Sequence, residues 1–281
     1  MPHDPDKPRK NTAEEPNMEI GLSSLYLMGK PFKSLLESIR LHEVGLWEVV
    51  DENSLKLDEQ RIQSLLELKE QRNIRFTVHA PFTDVNIASL VPEVRQMAMK
   101  RLEQSMQYAS QLKAEAWVVH PGQRGALTTF YPSEEWRLNV QAIASLTALA
   151  KDIGVQMCLE NMPKGFSALM NDCESFNQIH DELGWDAFKI VFDIGHANTA
   201  GEVSTFLDRF SDSITHVHAH DNQGKFDSHD EIGKGTVNWL TVAQKIKKSS
   251  CRTVVVESTK GVEASLERLR QLLGYSRAQS S

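Results

Sequence analysis

The chain has 281 residues, a formal net charge of −7 and a hydrophobic content of 40%. This composition is typical of a soluble globular protein and disfavours a polyanion as partner, although a local basic groove would escape a global count. No apolar run approaches the ~20 residues of a membrane span, and no N-terminal segment resembles a signal peptide. Three scattered cysteines predict reduced thiols and a cytoplasmic protein with no membrane partner.

The two ends of the chain differ from the rest in composition. Residues 1–17 are rich in proline and charge and lack apolar periodicity, which predicts a disordered N-terminal tail. We expect one folded domain over residues 18–275 and a frayed C-terminus over residues 276–281. Met18 directly precedes the first strand-like run, so residues 1–17 are either a dispensable tail or lie before the true start.

From residue 18 onward, short apolar runs alternate with amphipathic helical segments. The predicted strands are "EIGLSS", "GLWEVV", "IRFTVHA", "AWVVH", "VQMCLEN", "KIVFDI", "ITHVHAH" and "RTVVVES". The predicted helices cover residues 32–42, 58–72, 92–112, 134–153, 173–183, 205–210, 237–248 and 262–273. Ser133 and Asp172 have the spacing of N-caps, and Gly45, Gly154 and Gly184 that of glycines ending helices.

Eight such alternations predict a single-domain α/β protein, a closed (β/α)8 TIM barrel. No gap between predicted elements is long enough for an inserted domain. An open doubly wound sheet would carry a glycine-rich phosphate loop after its first strand, and "LYLMGKPF" is no such loop.

Acids and histidines gather at the predicted carboxyl ends of the strands, where barrels of this kind place their chemistry. Because side chains alternate along each strand, these acids and histidines are expected to point into the same end of the barrel. Burying unpaired carboxylates and imidazoles there would cost free energy unless a partner offsets it. Divalent Zn²⁺, Mn²⁺ or Fe²⁺ would supply it. A lone histidine ending a strand is more often structural, but nine residues in one register predict a site for one to three ions. These are His79, His120, Glu160, Asp193, His196, His218, Asp227, His229 and Glu257.

Three further residues fit a supporting role better than that of a ligand. His216 and His220 alternate with His218, and only one of the three is needed to bind metal, so the outer two are predicted to support the ligand or to pack. Glu48, taken as ending the second strand, is interpreted as a substrate contact or a support.

The motifs "HAPF", "HPG", "LEN", "FDIGHAN", "HVHAHDNQGKFDSHDEIGKG" and "VVES" occur in the order found in the xylose-isomerase-like TIM barrel superfamily. The chain resembles this superfamily over nearly its whole length after residue 17. The superfamily includes endonuclease IV as well as sugar-phosphate isomerases and epimerases, and these two branches imply different sites.

Resemblance to the isomerase and epimerase branch implies one divalent metal held by four of the nine residues. It implies proton transfer by Glu160 and Glu257 on a sugar or sugar phosphate, through a metal-bound enediolate. The metal ligands would be Glu160, Asp193, His218 and Glu257. The substrate would be bound by His79, His120, Glu48, Asn161, Lys164 and His220.

Resemblance to endonuclease IV instead implies a trinuclear zinc site on all nine residues, phosphodiester cleavage, and nucleic acid as a partner. The surrounding sequence departs from that branch: "TDVNIA" follows "HAPF", "FDIGHA" replaces Asp-Thr-Cys-His, and Ser228 stands in place of an arginine. These departures favour the isomerase or epimerase reading. A non-catalytic metal- or sugar-binding barrel is disfavoured because Glu160 and Glu257 are both present.

The loop after the seventh predicted strand has two further features. Gly233 and Gly235 follow the candidate ligands, and we expect them to act as hinges. Lys225 in this loop, together with Arg124 and Lys164, could contact a phosphate group. The oligomeric state is left open by the sequence.

Overall fold

A computed structural model of the chain describes residues 18–165 and 167–275. Eight parallel strands close into one barrel in chain order, which confirms the predicted single-domain (β/α)8 fold. The strands are β1 (Glu19–Ser23), β2 (Leu46–Val50), β3 (Arg75–His79), β4 (Trp117–Val119), β5 (Met157–Glu160), β6 (Lys189–Asp193), β7 (Ile214–Ala219) and β8 (Thr253–Val256). The predicted N-terminal tail and C-terminal fraying fall on residues 1–17 and 276–281, outside the described residues.

Parallel pairing continues around the barrel, and β8 pairs with β1. The register places Val50 opposite His79 and Asp193 opposite His218. Because all strands run in one direction, their carboxyl ends share one rim. His79, Glu160 and Asp193 each end a strand and therefore lie at this rim.

Helices cover the outside of the barrel and bury their apolar faces against it. They are α1 (Lys33–Leu41), α2 (Glu59–Arg72), α3 (Pro92–Gln111), α4 (Glu134–Ile153), α5 (Cys173–Leu183), α6 (Ile194–Ala200), α7 (Val203–Phe210), α8 (Trp239–Ile246) and α9 (Val262–Leu273). Helix α6 was not predicted; it begins directly after β6, where the Asp193 carboxylate accepts a hydrogen bond from the His196 amide at 2.6 Å. Within the described residues, no helix combines the length and apolar character needed to cross a membrane.

Three of the predicted helix-end signals are confirmed. The Asp172 carboxylate caps α5 by accepting a hydrogen bond from the Ser175 amide at 2.9 Å. Gly154 follows α4 with a φ of 72°, a left-handed conformation that glycine adopts without steric cost. Gly184 follows α5 as its C-cap.

One predicted signal is confirmed in position only, since α4 begins at Glu134 as expected, and another is wrong. Ser133 precedes α4 with a φ of 67° and makes no side-chain capping bond, because its left-handed backbone departs from the extended geometry of an N-cap. Helix α1 already ends at Leu41 with His42 as its cap, so Gly45 belongs to the connection into β2.

The barrel interior is part apolar and part polar. A small apolar cluster fills one level of it, formed by Ala116, Val118, Cys158 and Val191. The buried polar side chains of the interior include Glu48 and His216, and His216 pairs in register with Val191 of this cluster. Glu48 lies in the middle of β2, so its prediction as a strand end is wrong: β2 continues to Val50. The three cysteines are free and buried.

Candidate metal centre

Carboxylates and imidazoles from β3 to β8 and the loops that follow them converge at the rim. Among the described residues, five groups of side chains each bring their ligand atoms within 4.8 Å of one another. Two of them, His79–His218–Glu257 and Glu48–His216–His218, overlap the others at His218, and the remaining three are described here as donor groups. The first donor group is His79, His120 and Glu160; the second is Glu160, Asp193, His218 and Glu257; the third is His196, His220, Asp227 and His229. All nine sequence-predicted ligands thus lie in these groups, Glu160 belongs to two of them, and His220 joins the third.

The first donor group has the arrangement expected of a metal site. Glu160 Oε2 lies 3.3 Å from Nε2 of His79 and 3.1 Å from Nε2 of His120. This buried oxygen nevertheless has no hydrogen-bond partner. His79 donates from Nδ1 to the Ala80 carbonyl at 2.8 Å, which leaves Nε2 of the neutral ring as a lone-pair donor. These features fit Zn²⁺ or Mn²⁺, which accept imidazole and carboxylate ligands.

The second donor group surrounds His218, which is fully buried. Its Nδ1 lies 3.0 Å from Glu160 Oε1, 3.4 Å from Glu257 Oε2 and 3.8 Å from Asp193 Oδ2. Asp193 is held by Asn161, whose amide group bonds its backbone carbonyl and amide at 2.9 and 2.8 Å. Three carboxylates and one imidazole in this arrangement suit a single divalent ion.

The third donor group centres on Asp227, whose Oδ2 lies 3.1 Å from Nε2 of both His196 and His229. His196 donates from Nδ1 to the Asn161 carbonyl at 2.7 Å, and His229 donates from Nδ1 to a backbone carbonyl at 3.0 Å. Once neutral, as metal ligands must be, both rings would present an Nε2 lone pair on the side of Asp227. His220 stacks on His229 with ring centroids 3.9 Å apart.

The loop that carries Asp227 and His229 is fastened by Asp221. This buried carboxylate accepts hydrogen bonds from the Gly233 amide at 2.9 Å and from Nε1 of Trp239 at 2.8 Å. A side chain on Gly235 would lie 2.1 Å from Asp221 Oδ1, so a glycine is required there for close packing. The hinge role of Gly233 and Gly235 stays a prediction.

Burial and charge shift the pKa values of the donors. Burial lowers the pKa of His79, but the Glu160 carboxylate outweighs it and raises that pKa to about 8. Burial likewise lowers the pKa of His229, and Asp227 raises it to about 9. Burial raises the pKa of Glu160, but the charges of His218 and His120 hold it well below its usual range. Burial instead lowers the pKa of His120. The histidines with raised pKa values thus form ion pairs with these carboxylates near neutral pH, and a divalent ion would displace their protons.

A cavity of about 460 Å³ opens above the donors. Members of all three donor groups line it, whereas no lysine or arginine of the described chain does so. Phe82 stacks on His120 with centroids 5.5 Å apart. Sequence reasoning missed the apolar wall, although Phe82 stands in the motif "HAPF" and Met162 lies two residues after Glu160. This wall is formed by Leu25, Met28, Phe82, Met162, Pro163 and Ala168.

The remaining candidate residues lie at different distances from the cavity. Asn161 acts on Asp193 through the hydrogen bonds given above. Lys164 and Lys225 are exposed and do not line the cavity. Arg124 donates to the Ala168 carbonyl at 3.2 Å and lines a separate cavity of about 270 Å³.

Residues 39–274 match the family described as xylose isomerase-like TIM barrel. The chain belongs to this family. That assignment agrees with the closed barrel and with the resemblance seen in the sequence motifs.

Similar proteins carry names from both branches of the family. An uncharacterized protein of Methanocaldococcus jannaschii is 34% identical, with 92% of this chain and 89% of the relative covered. A probable endonuclease 4 of Mycobacterium leprae is 25% identical, with 69% of this chain and 77% of the relative covered. The crystal structure of a D-tagatose 3-epimerase-like protein superposes with a TM-score of 0.84 at 32% identity, covering 92% of this chain and 98% of the other.

Proposed function

We propose that this protein is a divalent-metal-dependent isomerase or epimerase that acts on a small sugar or sugar phosphate. The observation that carries the proposal is the placement of Glu160 and Glu257. Both line the cavity and both belong to the second donor group, with a carboxylate oxygen of each within 3.4 Å of Nδ1 of His218. Two carboxylates in one small-molecule cavity provide an acid and a base for proton transfer next to a carbonyl.

The chain's residues would divide the work as follows. A divalent ion in the second donor group would polarise the substrate carbonyl. One of the two glutamates takes the proton from the carbon beside the carbonyl, leaving an enediolate, and the other returns a proton to give the isomer or epimer. His79 and His120 line the same cavity and orient sugar hydroxyl groups, while Asn161 keeps Asp193 in place.

The size and surroundings of the cavity support this proposal. A volume of about 460 Å³ is in the range of small-molecule sites and is enclosed on one side by an apolar wall. The similar structure at 32% identity is named for epimerase chemistry. The proposal includes a sugar or sugar phosphate as substrate and one divalent ion per chain.

The third donor group supports a second candidate, a phosphoester hydrolase of the endonuclease IV kind. An isomerase needs only the second donor group, yet His196, Asp227 and His229 form a further complete set. Several ions together would activate water and clamp the oxygens of a phosphoester. The similarity to proteins named probable endonuclease 4 is consistent with this candidate.

Metal analysis and two activity assays separate the candidates. The protein, loaded with Zn²⁺ or Mn²⁺, is incubated with ketoses and ketose phosphates in deuterated water, and carbon-bound deuterium is measured by NMR. The same preparations are tested on a duplex with an abasic site. We expect deuterium exchange that is lost in Glu257→Gln, and about one ion per chain at the second donor group.

The opposite pattern would overturn the proposal. It consists of efficient duplex cleavage by a protein with about three ions, loss of that cleavage in the Asp227→Ala/His229→Ala variant, and no exchange on any sugar tested.

A further inference from the structure

A second layer of polar side chains lies in the barrel interior, next to the second donor group. Glu48 on β2 and His216 on β7 are both buried. Glu48 Oε2 accepts hydrogen bonds from Nε2 of His216 and from the Thr77 hydroxyl, each at 3.0 Å. The other ring nitrogen of His216 is hydrogen bonded to the Thr253 hydroxyl at 2.5 Å.

This layer reaches the second donor group through the ring of His218. Nε2 of His218 lies 3.1 Å from Glu48 Oε1, and each of these two buried atoms lacks a hydrogen-bond partner among the described residues. Nδ1 on the opposite side of the ring faces Glu160 and Glu257. The His218 ring therefore stands between a carboxylate inside the barrel and the carboxylates of the rim.

The other histidines of the rim are oriented differently. His79, His196 and His229 each donate their second ring nitrogen to a backbone carbonyl. His218 lies within β7, between β6 and β8, where the backbone carbonyls are used in parallel pairing. At this position a side chain must supply the acceptor, and Glu48 is the carboxylate in reach.

Keeping Glu48 in the interior is energetically demanding. Burial raises the pKa of its carboxyl, but the charge of His218 and the hydrogen bond from His216 hold it well below the usual range. Among the described residues its ion-pair partners are these two histidines, and no lysine or arginine joins them. An apolar residue at this depth would cost less desolvation free energy, so packing alone does not account for a carboxylate here.

We propose that Glu48 and His216 are positioning residues for His218. Glu48 holds the proton of His218 at Nε2, which leaves Nδ1 as the lone-pair donor facing the second donor group. His216, fixed by Thr253, orients Glu48 through its other oxygen. The inference rests on the proposed function in one respect, namely that a divalent ion binds at the second donor group.

Co²⁺ titration of the full-length protein tests this assignment. Visible absorption follows each binding step, and Glu257→Gln identifies the step that belongs to the second donor group. Glu48→Gln retains the volume of the side chain but replaces one acceptor oxygen by an NH₂ donor. The amide therefore cannot accept a hydrogen bond from both His216 and His218. We expect this step to weaken by ~10–100-fold and its absorption bands to shift, because outer partners of metal-binding histidines have effects of this size.

His216→Phe should weaken the same step by a smaller factor. In the Glu48→Gln/His216→Phe double variant, the total loss should be smaller than the product of the two single losses, since both changes break one chain of contacts. Asp51→Asn is the matched control. Asp51 is also buried and paired, but with Arg101 at 2.7 Å, so this change should leave the Co²⁺ step and spectrum as in the wild type.

The outcomes distinguish this inference from the proposed function. An unchanged Co²⁺ step and spectrum in Glu48→Gln would overturn the positioning role and leave the isomerase proposal standing. A weakened step in a protein with no sugar exchange would support the positioning role and count against the isomerase. A wild-type chain that binds no Co²⁺ at the second donor group would overturn both.

Discussion

Replacing Glu160 by alanine should destabilise the metal-free protein more at pH 6 than at pH 9. Burial lowers the pKa of His79, and the Glu160 carboxylate 3.3 Å away reverses this, giving a pKa of about 8 against 6.5 in the unfolded chain. A rise of this size corresponds to about 2 kcal/mol of stabilisation. It is fully present below pH 6.5 and is lost as the pH rises through 8, because the folded chain then releases the extra proton.

The assay is denaturant unfolding in the presence of a chelator, at both pH values, for wild type and Glu160→Ala. We expect the cost of the substitution to be larger at pH 6 by on the order of 2 kcal/mol. His120, His196 and His218 also lie within 3.6 Å of the Glu160 carboxylate and contribute to this difference together with His79. Glu160→Gln, which preserves more of the side-chain volume, should show the same trend.

Asp51→Ala provides the control for this experiment. Asp51 is a buried carboxylate, but its partner Arg101 keeps its charge at both pH values. Its removal should therefore cost the same at pH 6 and at pH 9. An equal cost for Glu160→Ala at the two pH values would refute the assigned pairing of Glu160 with His79 and the other rim histidines.

Two further changes follow from the same geometry. Glu160 contributes to two donor groups and Asp227 to one. After loading with Zn²⁺ and gel filtration, Glu160→Ala should therefore retain less metal than Asp227→Ala. Equal metal content in the two variants would contradict the role of Glu160 as a shared ligand. Gly195→Ala would place a methyl group 1.9 Å from the His220 ring and should destabilise the protein by about 1–3 kcal/mol, as over-packing does. An unchanged unfolding midpoint would show that the ring is free to move aside.

The rim could be predicted because strand ends are local features of the sequence. His79, Glu160 and Asp193 each follow a short apolar run, and the barrel brings such positions together whatever the details of packing. The alternation of side chains along β7 also placed His216, His218 and His220 on one face. These inferences required no knowledge of which strands face each other across the interior.

The contacts within the barrel could not be predicted in this way. Glu48 and His216 are 168 positions apart in the chain, and their pairing depends on the register of the closed sheet. Helix α6 was missed because "IGHANTA" is short and has no apolar stripe. Its start is set by the Asp193 cap, a residue that the sequence reading had assigned to metal binding alone.

The fastening of the loop by Asp221 has a consequence for the entropy of metal binding. Fixing one residue of a flexible loop costs about 1–2 kcal/mol in conformational entropy. Here the backbone bonds between Asp221 and Asp230, at 2.8 and 3.1 Å, order the segment that contains Asp227 and His229 during folding. An ion at the third donor group would therefore share the cost of ordering this loop with the backbone bonds of the chain, instead of bearing all of it.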